Sequence, residues 1–123
     1  MPVEAPSRRR VLIVEDEAAL RSSYARFFEA RYEMAFARTG AEALRQLESF
    51  DPQVLILDLR LPDTDGIALL QKIRATHATL PVVVTTAYVS MEPLMKVLDL
   101  GHSGYLVKPF DLNELAARID AVG

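Results

Sequence analysis

Gln53-Val54-Leu55-Ile56-Leu57-Asp58-Leu59-Arg60-Leu61-Pro62-Asp63-Thr64-Asp65-Gly66 decides how the rest of the chain is read. Val54 to Leu57 is an unbroken apolar run of branched side chains, with Pro52 before it and Pro62 and Gly66 after it. That pattern predicts a strand buried on both faces, as in a parallel sheet. Asp58 follows at once, where the strand leaves the core. A carboxylate fits poorly inside such a strand and well at its carboxyl end, where open α/β sheets bind ligands. Asp also starts turns, so Asp58 alone supports a site and a plain turn equally.

Working upstream, Val11 to Val14 is a second apolar run, and it stops at Glu15-Asp16-Glu17. Acids suit the positive end of a following helix, a reading that fits Glu17 better than the pair nearest the strand. Arg8-Arg9-Arg10 falls in residues 1–10, which read as a flexible lead-in, a solvated flank to the domain at 11–122. Leu20, Tyr24, Phe27 and Phe28 are spaced for one buried helical face. Glu33 to Ala37 alternates around Met34 and Phe36 like an edge strand. Thr39-Gly40-Ala41-Glu42 is a capping-box pattern, continued inward by Leu44 and Leu47.

Downstream, Asp65 is expected to cap a helix that buries Ile67, Leu70 and Ile73. Pro81 introduces a fourth strand, Val82 to Thr86. Ser90 opens a further helix carrying Leu94, Val97 and Leu98, closed by Gly101. Tyr105 to Val107 is a short fifth strand. Asp111 opens a last helix whose Leu112, Leu115, Ala116 and Ile119 share one face. Strand and helix alternate throughout, which predicts an α/β fold, an open five-stranded parallel sheet with helices on both faces.

Composition narrows the function. With 123 residues, 50% hydrophobic and 25% charged, the chain has the make-up of one soluble domain. A net charge of -3 leaves no basic excess for phosphates, so direct nucleic-acid binding is not expected. The lack of cysteine excludes disulfides and thiolate metal sites. No apolar run is long enough for a membrane span, and the start lacks a signal peptide's apolar segment, so a cytoplasmic protein is expected.

In a parallel sheet the strands' carboxyl ends share one rim. Glu15 and Asp16, Asp58, Thr86 and Lys108 all fall at such ends. Clustered carboxylates invite a hard cation such as Mg²⁺, and a metal-bound rim with a hydroxyl and an ammonium can bind phosphoryl oxygens. Asp58 is then either a metal ligand or the nucleophile that takes a phosphoryl group.

With these residues in place the chain resembles the receiver domain of two-component response regulators. The motifs are Val11-Leu12-Ile13-Val14-Glu15-Asp16-Glu17, Leu57-Asp58-Leu59-Arg60-Leu61-Pro62, Asp65-Gly66, Thr86-Ala87 and Lys108-Pro109-Phe110. The resemblance implies a flavodoxin-like sheet of order 2-1-3-4-5 and a switch phosphorylated on Asp58. The donor would be a phosphohistidine of a sensor histidine kinase or histidine phosphotransfer protein. It further implies that Glu15, Asp16, Asp58 and the Arg60 carbonyl arrange Mg²⁺ and its waters, with Glu15 acting through water. Lys108 would contact the phosphoryl group, a cis peptide would precede Pro109, and Thr86 and Tyr105 would relay the signal. The surface formed by the helix after Ser90, the fifth strand and the last helix would meet the output partner, and homodimerisation on phosphorylation is compatible with it. The positions of Arg60 and Tyr88 flank the phosphoryl site in the family, and their bulk here implies slow loss of phosphate.

Two positions depart from the family's commonest pattern, Glu15 for an Asp and Asp63 for a Gly, the latter expected to alter only loop flexibility. His77 and His102 have no metal-ligand partners in sequence and are expected at the surface. Two other readings compete. A haloacid-dehalogenase-like Mg²⁺ phosphatase with an aspartyl-phosphate intermediate needs a second Asp two places after the nucleophile, and Arg60 stands there. An FMN-binding flavodoxin-like module needs a hydroxyl- and Gly-rich phosphate loop where Glu15-Asp16-Glu17 stands. The expectation is a signalling switch, not an enzyme acting on other substrates.

Overall fold

In the computed structural model, which describes residues 8–87 and 104–122, the apolar runs form the strands of one sheet. These are β1 (Arg9–Val14), β2 (Tyr32–Ala37), β3 (Val54–Asp58), β4 (Val82–Thr86) and β5 (Gly104–Val107), all parallel, in the order β2-β1-β3-β4-β5. The described helices are α1 (Ala18–Phe28), α2 (Gly40–Phe50), α3 (Gly66–Thr76) and α4 (Leu112–Ala121). This is the flavodoxin-like order expected above. The helix expected behind Ser90, with Leu94, Val97, Leu98 and Gly101, lies outside the described residues, as do Tyr88 and His102.

The strands' unbroken hydrophobicity follows from burial on both sides. Leu12, Val14, Leu55, Leu57, Val82 and Val84 face α2 and α3, where they meet Ala43, Leu47, Leu69, Leu70 and Ile73. The alternate residues, Val11, Ile13, Val54, Ile56, Val83 and Leu106, face α1 and α4 and meet Tyr24, Phe28, Leu115 and Ile119. Each fully buried Val, Leu or Ile is worth roughly 1.5–3 kcal/mol relative to exposure. A polar side chain is therefore admitted only where a central strand ends, which is where Asp58 and Thr86 stand.

The caps are largely those the sequence announces. Asp65 Oδ1 accepts the Ile67 N–H at 2.9 Å, and Asp111 Oδ1 accepts that of Asn113 at 2.7 Å. Thr39 Oγ1 accepts the Glu42 N–H at 3.1 Å, but Glu42 reaches back to the N–H of Arg38 instead of Thr39, so the box is one residue wider. On α1 the expected four-residue face keeps Tyr24 and Phe28, both buried, and Leu20, half-buried against the same core, but loses Phe27. Adjacent helical residues point about 100° apart, so Phe27 is 38% exposed and packs edge-on against Phe28 at 5.0 Å. His77 is half-buried at the end of α3, where its N–H caps the Ile73 carbonyl at 2.7 Å.

β1 starts at Arg9, ahead of its apolar run, and the three arginines have structural partners. The Arg8 guanidinium donates to the Glu29 carbonyl at 2.6 Å, and Arg9 to the carbonyls of Ile119, at 2.7 Å, and Val122. Arg10 donates to the Asp51 carbonyl at 2.8 Å and pairs with the Asp51 carboxylate at 3.6 Å. These carbonyls close α1, α4 and α2. Helix ends of this kind leave carbonyls unpaired and favour cations.

Candidate functional site

β1 and β3 lie side by side in the middle of the sheet, and each presents an acid where its apolar run ends. Glu15 continues β1, its N–H donating to the Ala37 carbonyl at 2.9 Å, and is 1% exposed. Asp58 ends β3 opposite Thr85 and is 3% exposed. Asp16 is exposed beside them. One carboxylate oxygen from each of the three acids lies within 4.8 Å of the others.

Lys108 reaches the same point from the end of β5. Its Nζ donates to Glu15 Oε1 at 2.8 Å and to Asp58 Oδ2 at 3.2 Å. Its backbone N–H donates to the Thr86 carbonyl at 2.7 Å, which ties the ends of β4 and β5, and the Lys108–Pro109 peptide is cis, as expected. The second Asp58 oxygen accepts the Arg60 N–H at 3.1 Å, and the second Glu15 oxygen that of Glu17 at 3.2 Å.

The electrostatics record this crowding. Burial pushes the Glu15 carboxyl up to about 7; the Lys108 hydrogen bond opposes the shift and the Asp58 charge adds to it. Burial works against the Lys108 ammonium, but Glu15 and Asp58 outweigh it and hold its pKa above the usual value. Two buried carboxylates thus share one ammonium, with the Asp16 carboxylate beside them. An all-oxygen, anionic donor set of this kind fits a hard divalent cation better than a soft one.

Asp16, Asp58 and Lys108 open onto a cavity of about 340 Å³, which Arg60, Pro62 and Ala87 also line, with Glu15 buried behind them. A roomier hollow of about 630 Å³ between Arg21, Phe36 and Arg45 is lined by none of Glu15, Asp16 and Asp58. The combination of acids and ammonium belongs to the smaller cavity. Thr86 is fully buried at the end of β4, and Tyr105, half-buried on β5, sits opposite Val84 in the adjacent register. Burial pushes the Tyr105 hydroxyl up. All the described residues expected at the rim are therefore brought to one end of the sheet.

Three structural roles escape a reading of the sequence. Arg21 donates to the carbonyls of Glu15 at 3.0 Å and Asp16 at 2.7 Å, fixing the acidic loop. Its signal was a cation near the positive end of a helix, where the dipole disfavours one. Asp63 does more than alter a loop: its two oxygens accept the N–H groups of Gly40 at 2.8 Å and Ala41 at 3.1 Å. The loop after Asp58 is thereby pinned to the start of α2, and the Gly40 bond foremost holds the Asp63 carboxyl below its ordinary range. Gly66 lets that loop close, since a Cβ there would lie 2.4 Å from the Leu59 Cα.

Residues 11–120 match the response regulator receiver domain family, and the chain belongs to that family. It is a response regulator receiver domain, consistent with a two-component phosphorylation switch, and the flavodoxin-like order anticipated for it is borne out. Among similar proteins is the response regulator MprA of Mycobacterium ulcerans (strain Agy99), 39% identical over 114 residues, 92% of this chain and 49% of the relative. The chain spans about half the length of the curated relatives it matches. A CheY-like receiver domain protein of Methanospirillum hungatei JF-1 superposes with a TM-score of 0.87 at 30% identity, covering 93% of this chain and 92% of that one. The chemotaxis protein CheY4 of Vibrio cholerae gives 0.86 at 27% identity over 95% of this chain and all of its own. Among the described residues no helix is long and apolar enough to cross a membrane.

Proposed function

We propose that this chain is a phosphorylation-activated switch in which Asp58 receives a phosphoryl group from the phosphohistidine of a sensor kinase or histidine phosphotransfer protein. The observation that carries the reading is the buried Asp58 sharing the Lys108 ammonium with Glu15, beside Asp16. In the transfer an Asp58 oxygen bonds to phosphorus while the P–N bond to the donor imidazole breaks, its electron pair leaving with nitrogen.

Glu15, Asp16, Asp58 and the Arg60 carbonyl would hold Mg²⁺, which neutralises charge on the phosphoryl oxygens when bound. Lys108, 3.2 Å from Asp58 Oδ2, supplies a second positive charge for the dianion that replaces a single negative charge. The Arg60 N–H, 3.1 Å from Oδ1, fixes the carboxylate for attack. The Thr86 hydroxyl then moves to a phosphoryl oxygen, the Tyr105 ring follows, and the surface that includes β5 and α4 shifts toward its output state. That surface meets an output domain or protein in the cytoplasm. Arg60 shields the acyl phosphate and slows its hydrolysis.

The test is intact mass after treatment with a small phosphodonor and Mg²⁺, wild type against Asp58→Ala. One phosphoryl group on the wild type and none on the variant is the expected result. A label that persists on Asp58→Ala at wild-type levels would sink the assignment.

A further inference from the structure

Tyr24 on α1 is 1% exposed, and its hydroxyl has no hydrogen-bond partner among the described residues. A buried hydroxyl left unpaired costs about 1–3 kcal/mol. Phenylalanine would fill the same space, beside Phe28 at 6.3 Å, without that cost. The hydroxyl therefore calls for a role outside resting-state packing.

Its surroundings supply one. Side chains on a helix lean toward its N-terminus, and the N-terminal end of α1 adjoins Glu15-Asp16-Glu17. Burial, with the charges of Glu15, Asp58 and Glu17, pushes the phenol pKa well up, so it stays a proton donor beside the acids. Tyr24 also lines an apolar cavity of about 400 Å³. Glu17, Ala87 and Lys108 border both this cavity and the phosphoacceptor cavity. Tyr24 is thus the polar group behind the wall on which Lys108 stands.

We propose that Tyr24 is a positioning residue of the phosphoacceptor site, its hydroxyl donating to the Glu15 carboxylate when Lys108 turns to the phosphoryl group. The inference rests on the reading of Asp58 as phosphoacceptor. At rest Lys108 serves Glu15 at 2.8 Å more closely than Asp58 at 3.2 Å. A phosphorylated Asp58 is the stronger attractor, and of the protein donors seen at rest Glu15 then keeps the Glu17 N–H. A donor anchored in the core keeps that buried carboxylate aimed at the rim.

The decisive variant is Tyr24→Phe, measured with Mg²⁺ alone and with Mg²⁺ plus beryllofluoride as the phosphoryl mimic, by NMR titration. The melting temperature should stay level or rise. Affinity for Mg²⁺ alone should be unchanged, whereas beryllofluoride affinity and the phosphorylation rate should fall about tenfold or more, the usual scale for a supporting hydrogen bond. In a Glu15→Gln background the same change should have little further effect. A lowered melting temperature would mean that the hydroxyl is already bonded at rest, and would overturn the inference. So would unchanged beryllofluoride affinity, or an equal loss in the Glu15→Gln background. Wild-type protein that takes no phosphoryl group on Asp58 would overturn the underlying reading as well, and is scored separately by mass.

Discussion

Replacing Lys108 with Met keeps the side-chain stem and removes the charge, leaving two buried carboxylates with no cation between them. In the wild-type fold burial pushes the Glu15 carboxyl up to about 7 from an ordinary 4.5. Between those values the folded chain holds a proton that the unfolded chain has released. Stability from this group is therefore greatest at the acid end and falls as pH rises toward neutrality. At about 1.4 kcal/mol per unit, the wild-type decline across that window is bounded at about 3–4 kcal/mol. Lys108 limits the decline, because its hydrogen bond and charge both pull Glu15 down. In Lys108→Met the Glu15 pKa climbs further, and the decline continues above neutrality. The deficit relative to wild type should be small in acid, where Glu15 is protonated in both. It should widen with pH toward the about 3–5 kcal/mol typical of a broken buried pair. Urea unfolding in EDTA, repeated from acid to mildly alkaline pH, measures it. A deficit that is the same at every pH would refute the reasoning, because a pH-independent loss has no place for the Glu15 proton.

Gly66→Ala should cost about 1–3 kcal/mol or more and slow phosphorylation, since the new Cβ would lie 2.4 Å from the Leu59 Cα and 2.8 Å from the Asp58 carbonyl. A wild-type unfolding midpoint would count against it. Arg9→Ala removes the donor to Ile119 and Val122 and should cost about 1–3 kcal/mol. Its amide-exchange protection should be lost first at the end of α4, and uniform loss would contradict the capping role. Thr86→Ala should accept phosphate on Asp58 yet leave the β5 and α4 resonances unmoved by beryllofluoride. A full wild-type shift pattern in that variant would exclude Thr86 as the relay.

The strands were legible because central parallel strands bury both faces, so Val11 to Val14, Val54 to Leu57 and Val82 to Val84 could be read as continuous runs. The acids and Lys108 were legible because each interrupts or follows such a run. Contacts that join distant segments left no such mark. Nothing local in Arg8-Arg9-Arg10 reveals carbonyl partners as far along as Val122. Asp63 looked like a loop variant because its acceptors, the amides of Gly40 and Ala41, sit at the start of another helix. Tyr24 read as one apolar residue among several, because helical spacing reports which face is buried and is silent on where a phenol oxygen ends up. Phe27 failed for the opposite reason: adjacent aromatics cannot both point at the sheet.

The arginines at the head of β1 make the molecule mechanically lopsided. At that pole the tails of α1, α2 and α4 are clamped by guanidinium groups to β1 and the residue just before it. At the opposite pole the acids, Thr86 and Lys108 occupy strand ends and loops. A change of charge at Asp58 would therefore act on a sheet whose far pole is tied to three helix ends. Were Asp58 phosphorylated as proposed, the response should be concentrated along the rim toward β5, with little loosening of the helices at the clamped pole. Loosen the footing, and the same chemical event should deliver a blunter signal.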